Sequence, residues 1–346
     1  MTSTRSVAQL GGPVVLVVAA ALLGATFSRS TEIYFINALV AVSIVVALYV
    51  FVGNSGVLSF GHVSFVAVGA WAAGVLSVPE QEKPAFMPYL FGFLRDTTVG
   101  NVPSLIVAGA VAAAFAFLVG LPLMRLSGLA AGIATFAVLE ITNNILRYYE
   151  KIGPGLNTFS SVSETTDLTQ AALGALVVIV AAFAYQRSRY GRQLRATRED
   201  PPAARAVGIS IYRQRLGAFV LSGFLAGLAG GLYVHFLPVN VNDVYLDLTF
   251  ITLAMLVIGG ATSLWGAVVG ALAVSGLDSV LANAENGIDM LGRTVEIPAG
   301  TRIVVVSALM ALVLIVRPSG LTGGREFSLA PLTGRLRRRL APETDA

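Results

Sequence analysis

The amino-acid sequence predicts an all-α, polytopic integral membrane protein with about ten transmembrane helices and both termini in the cytoplasm. Three observations carry that reading. Apolar residues make up 55% of the 346-residue chain and charged residues only 12%, against about 25% charged in a soluble domain; the mean hydropathy is +0.78. The apolar residues gather in runs near the ~20 residues needed to cross about 30 Å of hydrocarbon. The basic residues lie between those runs and fall unequally on alternate sides.

In chain order the runs occupy residues 13–27, 33–52, 58–78, 104–124, 129–146, 171–186, 216–236, 246–259, 266–282 and 302–316. They define a transmembrane domain over 13–317, a cytoplasmic N-terminus over 1–12 and a basic cytoplasmic tail over 318–346. The first run follows one arginine, Arg5, as a signal peptide would. It leads almost directly into the second without a clear small-x-small cleavage site, so it is expected to stay as a span. With both ends inside, sixteen of the 23 Lys and Arg residues lie in cytoplasmic segments and seven in outer ones, which is the asymmetry that orients membrane helices. At the entry to the third run and within it, Gly53, Gly56, Gly61 and Gly69 interrupt GNSGVLSFGHVSFVAVGAW. That run is expected to be discontinuous or partly re-entrant, exposing backbone groups that can meet a solute.

Several chemistries are excluded by residue content. With no cysteine there is no disulfide, iron–sulfur or thiolate zinc site, and His62 and His235 are too few for a histidine metal cluster. The only lysines, Lys83 and Lys151, each follow glutamate, so no G-x-x-x-x-G-K-[ST] phosphate loop exists. G-x-S-x-G and H-E-x-x-H are missing as well. The chain is therefore read as no enzyme, with no cofactor and no metal. Its basic pI of about 9.5 comes from arginines flanking spans and implies lipid bilayer rather than nucleic acid. Purified alone, the chain is expected to turn over no ATP; steady hydrolysis that tracks this polypeptide through purification would refute the reading.

Four features are left to carry function. The segment YGRQLRATREDPPAARAVGI holds Arg192, Arg195, Arg198 and Arg205, with Arg189 just before it. Asp200 before Pro201 reads as an N-cap with proline at the first helical position, and Gly208 reads as the stop. The segment thus predicts a short helix, Pro201 to Val207, in the inner loop 187–215, with Ala203, Ala204 and Val207 as a mildly apolar surface. It has the shape of a handle for a soluble partner. Glu140 lies within AGIATFAVLEITNNILRYY, and Asn143, Asn144 and Arg147 follow on the same helical face. An ionisable group in a span faces a protein interior or a wet cavity, so this stripe is either a wall of a solute path or an interhelical lock. Asp278, with Ser275 and Ser279, is a weaker case of the same kind. Gly223, Gly227 and Gly231, alongside Ser222, Ala226 and Gly230, give one span a smooth face for close helix packing. In the tail, Arg335, Arg337, Arg338 and Arg339 are expected to be solvated, with contact to anionic headgroups as the alternative.

Four blocks resemble the LivM-type permeases of branched-chain amino-acid ABC importers: GNSGVLSFGHVSFVAVGAW, ATFAVLEITNNILR, YGRQLRATREDPPAARAVGISIYRQRLGAFVLSGFLAGLAGGLY and VIGGATSLWGAVVGA. Thr262 stands where the family usually has glycine and Ala267 where it usually has proline. The resemblance implies a permease subunit in a bacterial plasma (inner) membrane. It would work with two ATP-binding subunits, a second related permease and an extracytoplasmic solute-binding protein, importing branched-chain or related small amino acids, urea or short amides. It implies coupling to the ATPase through Arg198, Glu199, Asp200, Ala203, Ala204 and Gly208. Ser59, Phe60, His62, Glu140, Asn143 and Asn144 are the candidate solute path. The competing reading is an ion- or proton-coupled secondary transporter, for which Glu140, Asp278 and His62 are the available groups.

Overall fold

The computed structural model describes residues 2–285, 288–290, 293–295, 298, 300–317 and 319–327. The helices are α1 (Thr2–Gly24), α2 (Arg29–Ser55), α3 (Val63–Ser77), α4 (Lys83–Phe86), α5 (Gly92–Arg95), α6 (Asn101–Leu123), α7 (Gly128–Tyr148), α8 (Leu168–Arg187), α9 (Arg189–Glu199), α10 (Pro201–Ala206), α11 (Ile211–Val234), α12 (Leu246–Gly259), α13 (Leu264–Glu285) and α14 (Thr301–Val316). A small antiparallel hairpin, β1 (Ile288–Met290) and β2 (Arg293–Val295), joins α13 to α14. Each of the ten apolar runs overlaps a helix, and six of those helices are long and apolar enough to cross a membrane: α2, α6, α7, α8, α11 and α13. The apolar helices α3 and α12, and the apolar stretches Gln9–Gly24 and Thr301–Val313, are shorter. In lipid only helices and closed barrels satisfy the backbone, so this is a multi-pass all-α membrane protein.

Helix α2 is the axis of the bundle. It is buried from Ala38 almost without break to Ser55, and it packs against α8, α11, α12 and α13. Apolar side chains gain nothing by leaving lipid for protein, so close backbone approach drives this packing. Small residues permit it. A Cβ on Gly227 would lie 2.3 Å from the Ala112 Cβ of α6, and one on Gly230 would lie 2.0 Å from the Val66 carbonyl of α3. The ladder on α11 therefore serves two neighbours, with Gly223, Gly227 and Gly231 toward α6 and Gly230 toward α3. Ser222 Oγ adds a hydrogen bond to the Ala47 carbonyl of α2, 2.6 Å away.

The loops gather at two opposite ends. At one end Arg198 reaches the end of α2, Arg215 reaches the α6–α7 turn at Leu126, Arg187 reaches Gln9, and Glu326 reaches the start of α13. At the other end Phe91 bonds Lys151, Phe159 bonds Val239, Thr166 bonds His235, and Arg147 bonds Asn242. Lys83, fully buried there, donates to the Leu94 and Thr97 carbonyls at 2.8 and 2.5 Å. Burial pushes its ammonium below the usual range.

Three details differ from the sequence reading. The run 58–78 is helical only from Val63, because residues 56–62 form an irregular connector. The loop 187–215 holds two helices, since the amphipathic α9 precedes α10. The tail is not wholly solvated: residues 319–327 lie along the α12–α13 turn, where Leu321 N donates to the Ile258 carbonyl and Thr322 Oγ1 to the Gly259 carbonyl. Arg335, Arg337, Arg338 and Arg339 fall outside the described residues.

Candidate functional site

The polar loop is built from its caps upward. Ser188 Oγ accepts from Gly191 N at 3.2 Å and starts α9. Leu194 and Thr197 turn into the bundle, while Arg195 and Arg198 reach inward to backbone. Arg195 Nη2 donates to the Gln186 carbonyl at 2.7 Å, and Arg198 Nη1 to the Gly53 carbonyl at 2.6 Å. The second contact puts a cation on the C-terminal carbonyls of α2, the negative end of the helix dipole. The Arg198 stem lies where a Cβ on Gly56 would come within 2.6 Å of Cγ, and Gly56 itself needs its left-handed φ of 70° to end α2. Glu199 holds the Arg198 guanidinium from outside at 2.6 Å. Asp200 ends α9 and caps α10, accepting from Ala203 N at 3.0 Å. α10 ends one residue before Val207, and Gly208 follows with φ 82°.

One part of the expected surface is corrected. Ala204 is only 4% exposed, whereas Val207 is 75% exposed. The cause is the return of the chain: Ile209 N bonds the Ala204 carbonyl at 3.0 Å, and α10 lies against α9 and α11. The outward face is therefore Pro202, Ala203, Arg205 and Val207.

The connector between α2 and α3 holds Ser59, Phe60 and His62. His62 Nδ1 bonds Ser59 Oγ at 2.7 Å, and the imidazole is enclosed by Phe51, Phe65 and Phe219 with ring centroids 5.3–5.4 Å away. Phe60 N donates to Thr135 Oγ1 of α7 at 3.2 Å. A Cβ on Gly61 would lie 2.2 Å from the Thr135 carbonyl, so glycine is required for this crossing.

Farther along α7, Glu140 accepts a short hydrogen bond from Tyr245 Oη, Asn143 Nδ2 donates to the Val241 carbonyl at 3.2 Å, and Arg147 Nη2 donates to Asn242 Oδ1 at 2.6 Å. Three members of the stripe thus clamp the 241–245 loop. The Glu140 bond is the first cause, ahead of burial, of a Tyr245 phenol pushed above its ordinary value. Asn144 does not join; it is exposed and bonds the Glu140 carbonyl of its own helix at 2.8 Å. No Glu140–Arg147 ion pair forms among the described residues. Thr135 and Asn143 are eight residues apart, about 12 Å along the axis, so the two groups of candidate path residues sit at different depths.

The clamp gives a direct test. A charge-assisted hydrogen bond contributes about 1.5–3 kcal/mol. Glu140→Leu is expected to lower thermal stability by that order, Tyr245→Phe by less, and the double variant by no more than Glu140→Leu alone. Full additivity in that cycle would remove the lock.

Asp278 pairs with Arg302 at 3.3 Å and lines a cavity of about 520 Å³ between α2, α12, α13 and α14. The sequence reading missed two further groups. Tyr49 Oη donates to Gln186 Oε1 at 2.7 Å deep in the bundle. Glu326 accepts from Leu264 N and Trp265 N at 3.0 and 3.3 Å, capping α13; burial pushes its carboxyl up against the pull of those donors. A lone acid eight residues past a proline gives no sequence signal for a helix cap so far away in the chain.

Fold and site together define a multi-pass membrane protein whose polar loop is fastened to its central helix. The chain belongs to the family described as branched-chain amino acid transport system / permease component, which matches residues 30–316. It is 27% identical over 311 residues to the high-affinity branched-chain amino acid transport system permease protein LivM of Escherichia coli, and 28% over 312 residues to that of Salmonella typhimurium. Each match covers 79% of this chain and 65% of the relative, so the chain spans somewhat under two thirds of their length. It is also 28% identical over 223 residues to the guanosine ABC transporter permease protein NupQ of Bacillus subtilis, covering 61% of this chain and 69% of that one. No solved structure matches the chain significantly.

Proposed function

We propose that the chain is the membrane-spanning permease subunit of an ATP-binding-cassette importer in a bacterial inner membrane, moving branched-chain or related small amino acids inward. All ten apolar helices cross in this reading, with the loop bearing α9 and α10 and both termini in the cytoplasm. The partners are two ATP-binding subunits, a second related permease and an outer solute-binding protein. The observation that supports it most is the Arg198–Gly53 contact. It joins the polar loop to α2, which packs against α8, α11, α12 and α13, as a coupling element requires. Family membership supports the class, and the LivM relatives favour amino acids over the nucleoside carried by NupQ.

The secondary-transporter reading has less support. Each of the groups the sequence offers it is engaged: Glu140 is bonded to Tyr245, Asp278 is paired with Arg302, and His62 is enclosed by aromatic rings. The test is reconstitution of the chain with the two ATP-binding subunits and the second permease of its own organism. ATP-dependent uptake of leucine, delivered by the cognate binding protein, is the expected result. Uptake that persists without ATP and follows a proton gradient would overturn it.

A further inference from the structure

The cavity between α2, α12, α13 and α14 is the feature the coupling argument leaves unused. Its volume of about 520 Å³ lies within the ~300–1,000 Å³ of small-molecule sites. Asp243, Asp247 and Asp278 line it, against a single guanidinium, Arg302. Arg302 is committed to Asp278, and neither Asp243 nor Asp247 has an ion-pair partner among the described residues. Inside, Ser275 is 3% exposed and its Oγ has no hydrogen-bond partner. A buried hydroxyl facing a cavity without a partner leaves polar capacity for an occupant. Val40, Ile44, Ile251, Met255 and Val306 give it an aliphatic stretch, beside the polar Asn37, Asn242 and Thr252.

We infer that this cavity is a binding site for a small aliphatic solute carrying a protonated amine. The amine is drawn by the field of Asp243 and Asp247, the hydrocarbon body packs on the aliphatic wall, and Ser275 supplies a hydrogen bond. Where the solute also carries a carboxylate, Arg302 is placed to meet it in exchange for Asp278. This deepens the importer reading and rests on its assignment of this end of the bundle to the outside. The site is linked to the α7 clamp through one loop, because Asn242 both lines the cavity and accepts from Arg147.

The chain has no cysteine, so a single introduced thiol is a unique reporter. Full-length Ser275→Cys protein in nanodiscs would be modified by aminoethyl methanethiosulfonate and by sulfonatoethyl methanethiosulfonate, with rates normalised to free cysteine. Asn37→Cys, on the same cavity wall, is the second reporter should the first not fold. The cationic reagent is expected to react at least about tenfold faster, as a focused negative field raises local cation concentration. Adding Asp243→Asn and Asp247→Asn should bring the two rates together. Isoamylamine and leucine should slow labelling, and isovalerate should not. Failure to label folded protein, equal rates for the two reagents, or equal protection by isovalerate would each overturn the inference. None of these outcomes involves the ATPase, so the site can fail while ATP-driven uptake stands, and uptake can fail while the site stands.

Discussion

Val207→Glu, or Ala203→Glu, should abolish ATP-driven uptake while leaving the chain in the membrane. Both positions face outward on or just after α10, and Val207 is among the most exposed apolar residues described, at 75%. An apolar residue that exposed beside Ala203 and Pro202 suits a shallow groove on a partner, with the exposed Arg205 near its rim. A carboxylate there has no partner in the chain to disturb, and the basic residues that set topology remain. It would instead be desolvated in the groove, at a cost of several kcal/mol for an unpaired charge. The ATP-binding subunit should accordingly fail to co-purify. Ala204→Glu is a different experiment, because Ala204 is buried against the chain's own return. That variant should unseat α10 and lower the thermal stability of the isolated protein, which the outward variants should not. If Val207→Glu and Ala203→Glu both retain the ATPase and transport at the wild-type rate, the coupling assignment is wrong.

Gly259→Leu should all but remove the protein from the membrane. Helices α12 and α13 cross with backbone on backbone: a Cβ at Gly259 would lie 1.9 Å from the Gly266 carbonyl, and one at Gly270 2.0 Å from the Met255 carbonyl. Neither obstacle is the end of a flexible side chain, so the helices must separate. Overpacking of a core costs typically 1–3 kcal/mol and more where backbone must move; at least about 3 kcal/mol is expected here. Gly276→Leu on the same α13 is the control, since nothing lies within 4 Å of a Cβ there. Equal abundance and equal melting temperature for the two variants would show that the seam is not close-packed in the membrane.

What the sequence made legible follows from how local each signal is. Apolar runs, the Asp200–Pro201 cap, the Gly208 stop and the small-residue ladder are all written within a few neighbouring residues, and each corresponds to an observed element. Helix α9 carries no apolar run, because its buried positions are just Gly191, Leu194 and Thr197; its amphipathic pattern is hidden among arginines. Ala204 was expected at the surface because alanine has no character that separates docking from packing, and only the returning chain at Ile209 decides it. The acidic cavity draws Asp243 and Asp247 from the loop and start of α12, Asp278 from α13 and Arg302 from α14. No spacing rule joins residues that far apart. Glu140 was legible as a functional or structural exception, but Tyr245, its partner 105 positions later, was not.

The stretch from Leu321 to Glu326 has a consequence for the order of events during synthesis. It satisfies the carbonyls of Ile258 and Gly259 and the amides of Leu264 and Trp265. The turn between α12 and α13 leaves the ribosome some sixty residues before the groups that complete it. Until those residues arrive, a helix start and a helix end keep bare polar backbone at the end of the bundle that carries α9 and α10. The α12–α13 seam is thus closed by a late-made segment rather than by the two helices that form it.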